Sequence, residues 1–85
     1  MFRNERKFIK ELLTESDKET IKALIASFKL PLLLSKTLTE LYVDGLEIKQ
    51  IAYNNNVDDR TIKRYHAKAL DLCEERAKAK LLMSL

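Results

Sequence analysis

At 85 residues the chain has room for one hydrophobic core and not for two. With 46% hydrophobic and 34% charged residues it is too apolar for a disordered chain, and one Gly and one Pro leave too few turn residues for an all-β fold. A formal charge of +3 is compatible with a nucleic-acid partner but decides nothing until the positive residues are placed.

Phe8, Ile9, Leu12 and Leu13 recur at helical spacing and predict a first helix over roughly residues 3–13. Thr14-Glu15-Ser16-Asp17 ends it, and Ser16 or Asp17 caps the next. Ile21, Leu24, Ile25 and Phe28 form the cleanest helical stripe in the sequence. Pro31 breaks that helix at about Lys29, or opens a third helix as its first residue. The third helix buries Leu34, Leu38, Leu41 and Tyr42 and ends at Val43-Asp44-Gly45, where the glycine suits a left-handed position.

A short helix from about Glu47 to Asn54 follows, with Ile48, Ile51 and Ala52 inward. Asn54-Asn55-Asn56 is a turn, because asparagine tolerates positive φ. Asp58 or Asp59 caps the last helix, which meets no breaker up to Leu85. The expected fold is therefore all-α: a compact bundle of about five helices with a long C-terminal helix. Within one domain, residues 1–30 support residues 31–85.

The segment Ile48 to Ala67 meets the needs of a helix-turn-helix. Ala52 is the small residue where the second helix crosses the first. Asn56, four positions on, takes the turn, and Ile62, six further, faces back into the core. Val57 follows the turn and Tyr65 continues the buried face. Asn55 stands where such motifs usually carry an apolar residue.

Leu30-Pro31, Leu38, Leu41-Tyr42-Val43-Asp44-Gly45-Leu46, Ile51-Ala52 and the run Val57 to Leu70 with Ala67-Lys68-Ala69-Leu70 together resemble region 4 of bacterial sigma-70 factors. That region is the promoter-reading module. The resemblance covers about Leu30 to Cys73. Two features depart from it. Leu32-Leu33-Leu34 replace the charged residues that usually follow the proline, and the chain is too short for the remaining sigma modules. In size, and in its Asp59-Arg60-Thr61 start, the chain is more similar to small phage and mobile-element regulators of the ArpU and RinA types.

The resemblance implies base or backbone contacts at Asp59, Arg60, Lys63 and Arg64. Helix geometry with Ile62 and Tyr65 inward adds Thr61 and Lys68 to the outward positions. Arg60 and Arg64 suit guanine, while Lys63, Lys68 and Lys49 suit phosphates. Asp58 and Asp59 repel phosphate and are expected to cap, with Asp59 also a candidate cytosine reader.

The other reactive residues read as structural. His66 is expected to be a partly exposed surface residue, Cys73 a small core or interface residue, and Tyr42, Tyr53 and Tyr65 packing groups. No nucleophile–base pair, phosphate-binding glycine loop or metal spacing stands out, so an enzyme, a cofactor and a metal are not expected. A single cysteine, no span-length apolar run and no signal-peptide core suit a cytoplasmic protein.

Leu30–Leu34 is either core or a docking patch, and the convergence of three helices there favours core. Leu81, Leu82, Met83 and Leu85 make the tail apolar. It packs on the N-terminal helices or forms a homodimer through Cys73–Leu85. The expected function is sequence-specific transcription regulation on double-stranded DNA, with RNA polymerase as a further partner. The rival is a protein-interaction module: a polymerase- or sigma-binding adaptor, or a phage DNA-packaging subunit.

Overall fold

The computed structural model describes residues 5–83, with side chains described for residues 6–79. Five α-helices and no strand occur among them: α1 (Glu5–Glu15), α2 (Lys18–Phe28), α3 (Leu32–Tyr42), α4 (Ile48–Asn54) and α5 (Asp59–Met83). The all-α expectation holds.

Local chemistry sets each boundary. The sequence pattern ends the first helix near Leu13, but α1 runs on to Glu15, and its expected start at residue 3 lies outside the described residues. Asp17 rather than Ser16 caps α2, its carboxylate accepting from the Thr20 amide at 2.7 Å. Lys29 ends α2 in the left-handed region at φ 51°, a conformation that costs a side chain energy. Pro31 is not the first residue of α3 but the residue before it. Its carbonyl accepts from Leu34 and Ser35, each at 3.0 Å. Gly45 takes φ +69° as α3 turns toward α4, which fits the left-handed position expected of it.

At the start of α4 the Glu47 amide donates to Gln50 Oε1 at 3.0 Å. After α4, Asn56 adopts φ 59° and the Val57 amide donates to the Ala52 carbonyl at 3.0 Å. Asp58, of the two candidates, caps α5. Its Oδ1 accepts from both the amide and the hydroxyl of Thr61 at 2.8 Å.

Ile9, Leu13, Ile21, Ile25, Phe28, Leu34, Leu38, Val43, Ala69, Leu70 and Cys73 form the larger core cluster. Ile51, Ala52 and Ile62 form a second one between α4 and α5, and Tyr65 packs on both. α5 is thus the spine, with α1, α3 and α4 packed along it.

Several expected core positions are revised. Phe8 is 38% exposed, leaving Ile9 and Leu13 as the buried face of α1. On α3, Leu41 and Tyr42 are only half-buried, while Thr37, and Val43 just past the end of the helix, are the additional buried residues. Thr37 is tolerated there because its hydroxyl donates to the Leu33 carbonyl at 3.0 Å. The Leu30–Leu34 run divides. Leu34 is buried and Leu30 half-buried, but Leu32 and Leu33 are 85% and 47% exposed, because they occupy the first turn of α3 away from the bundle. Cys73 is fully enclosed by its own chain and Ala77 packs on the same cluster. Of the segment expected to form a homodimer, Cys73 is therefore a core residue, while Glu75, Lys78 and Ala79 are exposed. The tail side chains from Leu81 to Leu85 lie outside the described residues.

Ala52 is 2% exposed between α4 and α5. Replacing it with leucine forces extra methylenes between the helices and is expected to lower stability by about 1–3 kcal/mol. Thermal melting checks this, and an unchanged midpoint would mean that the helices do not meet tightly at Ala52.

Candidate nucleic-acid interface

The exposed side of α5 is laid out by the burial of its opposite side. Ile62, Ala69, Leu70 and Cys73 face the core, with Tyr65, His66 and Leu72 half-buried beside them. A 3.6-residue repeat then turns Arg60, Lys63, Arg64, Ala67 and Lys68 outward, and all five are exposed. Of the seven residues expected to contact DNA, Arg60, Lys63, Arg64 and Lys68 come together as one basic stripe over the first three turns of α5. Lys49 is exposed but stands on α4.

Asp59 and Thr61 stand beside the stripe at the start of α5. Both are only half-buried rather than fully outward, and the Thr61 hydroxyl is already engaged by the Asp58 cap. The bonds from Thr61 hold the Asp58 carboxyl below its usual pKa, and the nearby Arg64 guanidinium adds to that effect. Asp58 is therefore an ionised cap at neutral pH.

Asn55, the residue that departs from the apolar pattern, has a structural account. Its side-chain amide donates to the Ile51 carbonyl at 2.7 Å and its Oδ1 accepts from Lys36 Nζ at 3.0 Å. The amide closes the end of α4 and ties the turn to α3, work that an apolar residue would do by packing. Tyr53, expected to pack, is 86% exposed. With Ala52, Asn56, Val57 and Asp58 it lines a shallow depression beside the start of α5. Its place was readable, since Ile51 and Ala52 inward leave the next residue of a helix pointing out.

His66 is partly exposed, as expected, and it also has a partner. Its Nε2 lies 2.7 Å from the Tyr42 hydroxyl, with the two rings 5.7 Å apart, and it joins α5 to α3. Burial, and then repulsion from Lys10 and Arg6, disfavour the imidazolium and push the His66 pKa down. Tyr42, whose own pKa is raised by burial, stays protonated beside the neutral ring, and the imidazole tautomer sets which of the two donates.

As pH falls, unfolded chains therefore take up this proton before folded ones do, so stability is full above the unfolded value of 6.5 and declines below it. Because His66 is the one histidine in the sequence, proton NMR reads its titration without overlap. The expected midpoint is below 6.5; a midpoint at or above that value would contradict the buried Tyr42–His66 pair.

Cys73 is buried and its thiol is pushed up to about 11, so it is a packing residue and not a reactive thiolate. No helix among the described residues is long and apolar enough to cross a membrane. Comparison of the chain with protein-family models, curated proteins and solved structures finds no match in any of the three.

Proposed function

We propose that this chain is a sequence-specific DNA-binding transcription regulator that docks the Asp59–Lys68 segment of α5 in the major groove. The observation that carries this reading is the stripe Arg60, Lys63, Arg64 and Lys68, exposed on one side of a helix whose other side is anchored by Ile62. An α-helix fits the major groove and reads base edges from its first turns. Two guanidinium groups one turn apart suit O6 and N7 of successive guanines, and the lysines suit flanking phosphates. The resemblance to sigma region 4, traced from Leu30 to Cys73, supports the same docking.

The rival reading, a protein-interaction module, draws on a different place. Leu32 and Leu33 are exposed next to the exposed Pro31, and such an apolar group favours a protein partner, with RNA polymerase the candidate that fits a regulator. The two readings separate on the same pair of variants. Leu32→Ser/Leu33→Ser leaves DNA binding intact if the basic stripe carries function, whereas Arg60→Ala/Arg64→Ala does not. Electrophoretic mobility shift of each variant is the test. DNA binding that ignores the arginines would reject the proposal.

A further inference from the structure

The outward side of α5 does not stay basic. Beyond Lys68 the exposed Asp71 continues the same stripe, and Glu74 and Glu75 follow one turn later. Carboxylates in line with a DNA-reading segment would repel the phosphate backbone. The structure meets two of them with one cation from another helix. The Arg6 guanidinium of α1 pairs with Asp71, and its Nε lies 3.6 Å from the Glu74 carboxylate.

That pairing also fixes how α1 lies. Ile9 and Leu13 enter the core cluster with Ala69, Leu70 and Cys73, so α1 packs lengthwise on α5. Arg6 meets residues 71 and 74, and although both α1 cations act on His66, Lys10, one turn further along α1, does so more strongly than Arg6. The two helices therefore run antiparallel, and Lys10 stands beside the basic half of α5. Lys10 is exposed and makes no ion pair among the described residues.

Resting on the DNA-binding reading above, we infer that α1 is part of the DNA-contacting surface. Lys10 contacts a phosphate flanking the groove, and Arg6 is a positioning residue that neutralises Asp71 and Glu74 so that the backbone can approach. The footprint then extends beyond the helix-turn-helix segment to a helix outside the region of family resemblance. Glu11, exposed next to Lys10, limits the interaction to one phosphate rather than a broad basic patch.

The test uses the full chain and a random-sequence DNA duplex, with affinity measured by fluorescence anisotropy across a salt series. Phosphate contacts act on any sequence, so no operator is needed. Lys10→Gln is expected to bind about threefold to tenfold more weakly and to flatten the log–log salt slope by about 0.9, the value for one phosphate neutralised on duplex DNA. Lys78→Gln removes the same charge about 15 Å past Lys68 along α5, at 1.5 Å per residue, and is expected to leave the slope unchanged. Arg6→Gln is expected to weaken binding, and Arg6→Gln/Asp71→Asn to recover part of that affinity, which a purely structural Arg6 would not show.

A wild-type slope for Lys10→Gln, or an equal effect of Lys78→Gln, overturns this inference while the wild type still binds. A wild-type chain that does not bind the duplex at all overturns the DNA-binding reading itself.

Discussion

The double variant Arg60→Ala/Arg64→Ala is expected to lose sequence-specific DNA binding while keeping its fold. A bidentate arginine–guanine pair discriminates against other bases by about 1–3 kcal/mol, so removing two such pairs moves affinity by one to four orders of magnitude. The two side chains sit one turn apart on the exposed side of α5 and contribute nothing to either core cluster. Melting behaviour should therefore stay close to wild type. Neighbouring residues on one target couple, so the effect of the double variant need not equal the sum of the singles. Lys63→Ala gives the contrast: a lysine expected to meet phosphate is expected, when removed, to weaken binding to all sequences alike and to leave the preferred bases unchanged. Anisotropy titrations on specific and scrambled duplexes read both effects. Wild-type discrimination in the double variant would show that the start of α5 does not read bases.

The second large effect falls on folding. Ile62 is 1% exposed and, with Ile51 and Ala52, makes the buried cluster between α4 and α5. Ile62→Ala is expected to cost about 2–5 kcal/mol, the range for truncating a buried aliphatic side chain without full collapse of the cavity. Small domains are stable by only about 5–15 kcal/mol, so this is a large share. The expected fall in melting temperature is at least about 8 °C, at 4–8 °C per kcal/mol for a domain of this size. The cluster is small and carries the start of α5, so DNA affinity should fall even at temperatures where the chain remains helical. Calorimetry measures the first effect and anisotropy the second. A melting temperature within about 2 °C of wild type would show that Ile62 does not anchor α5.

Much of this was legible in the sequence because the signals were local. The stripe Ile21, Leu24, Ile25, Phe28 placed α2, and the pair Asn56 and Gly45 marked two left-handed positions that both occur. Ala52 and Ile62, which suit the crossing of two helices, are both buried there. The expectations that failed depended on which side of a helix the rest of the bundle would cover. Phe8 lies beside Ile9 in sequence, and Leu32 and Leu33 beside Leu34, yet only Ile9 and Leu34 are buried. Hydrophobicity alone does not rank adjacent residues; tertiary packing does.

Polar partners over long separations were equally hidden. Tyr42 and His66 are 24 residues apart, and Arg6 is far in sequence from Asp71, so neither pair leaves a local pattern. Of the candidate site, the basic stripe was readable from helix periodicity. The acidic continuation at Asp71 and Glu74, and its cover by α1, required the fold.

The central claim is that this chain reads a DNA sequence through the Asp59–Lys68 segment, and selection of bound DNA from a random pool tests it most directly. Repeated rounds on the full chain should enrich one short motif, with guanines at the positions that Arg60 and Arg64 meet, and the same selection with Arg60→Ala/Arg64→Ala should lose those guanines. A pool that stays random through successive rounds, or a motif unchanged in the double variant, would contradict the claim.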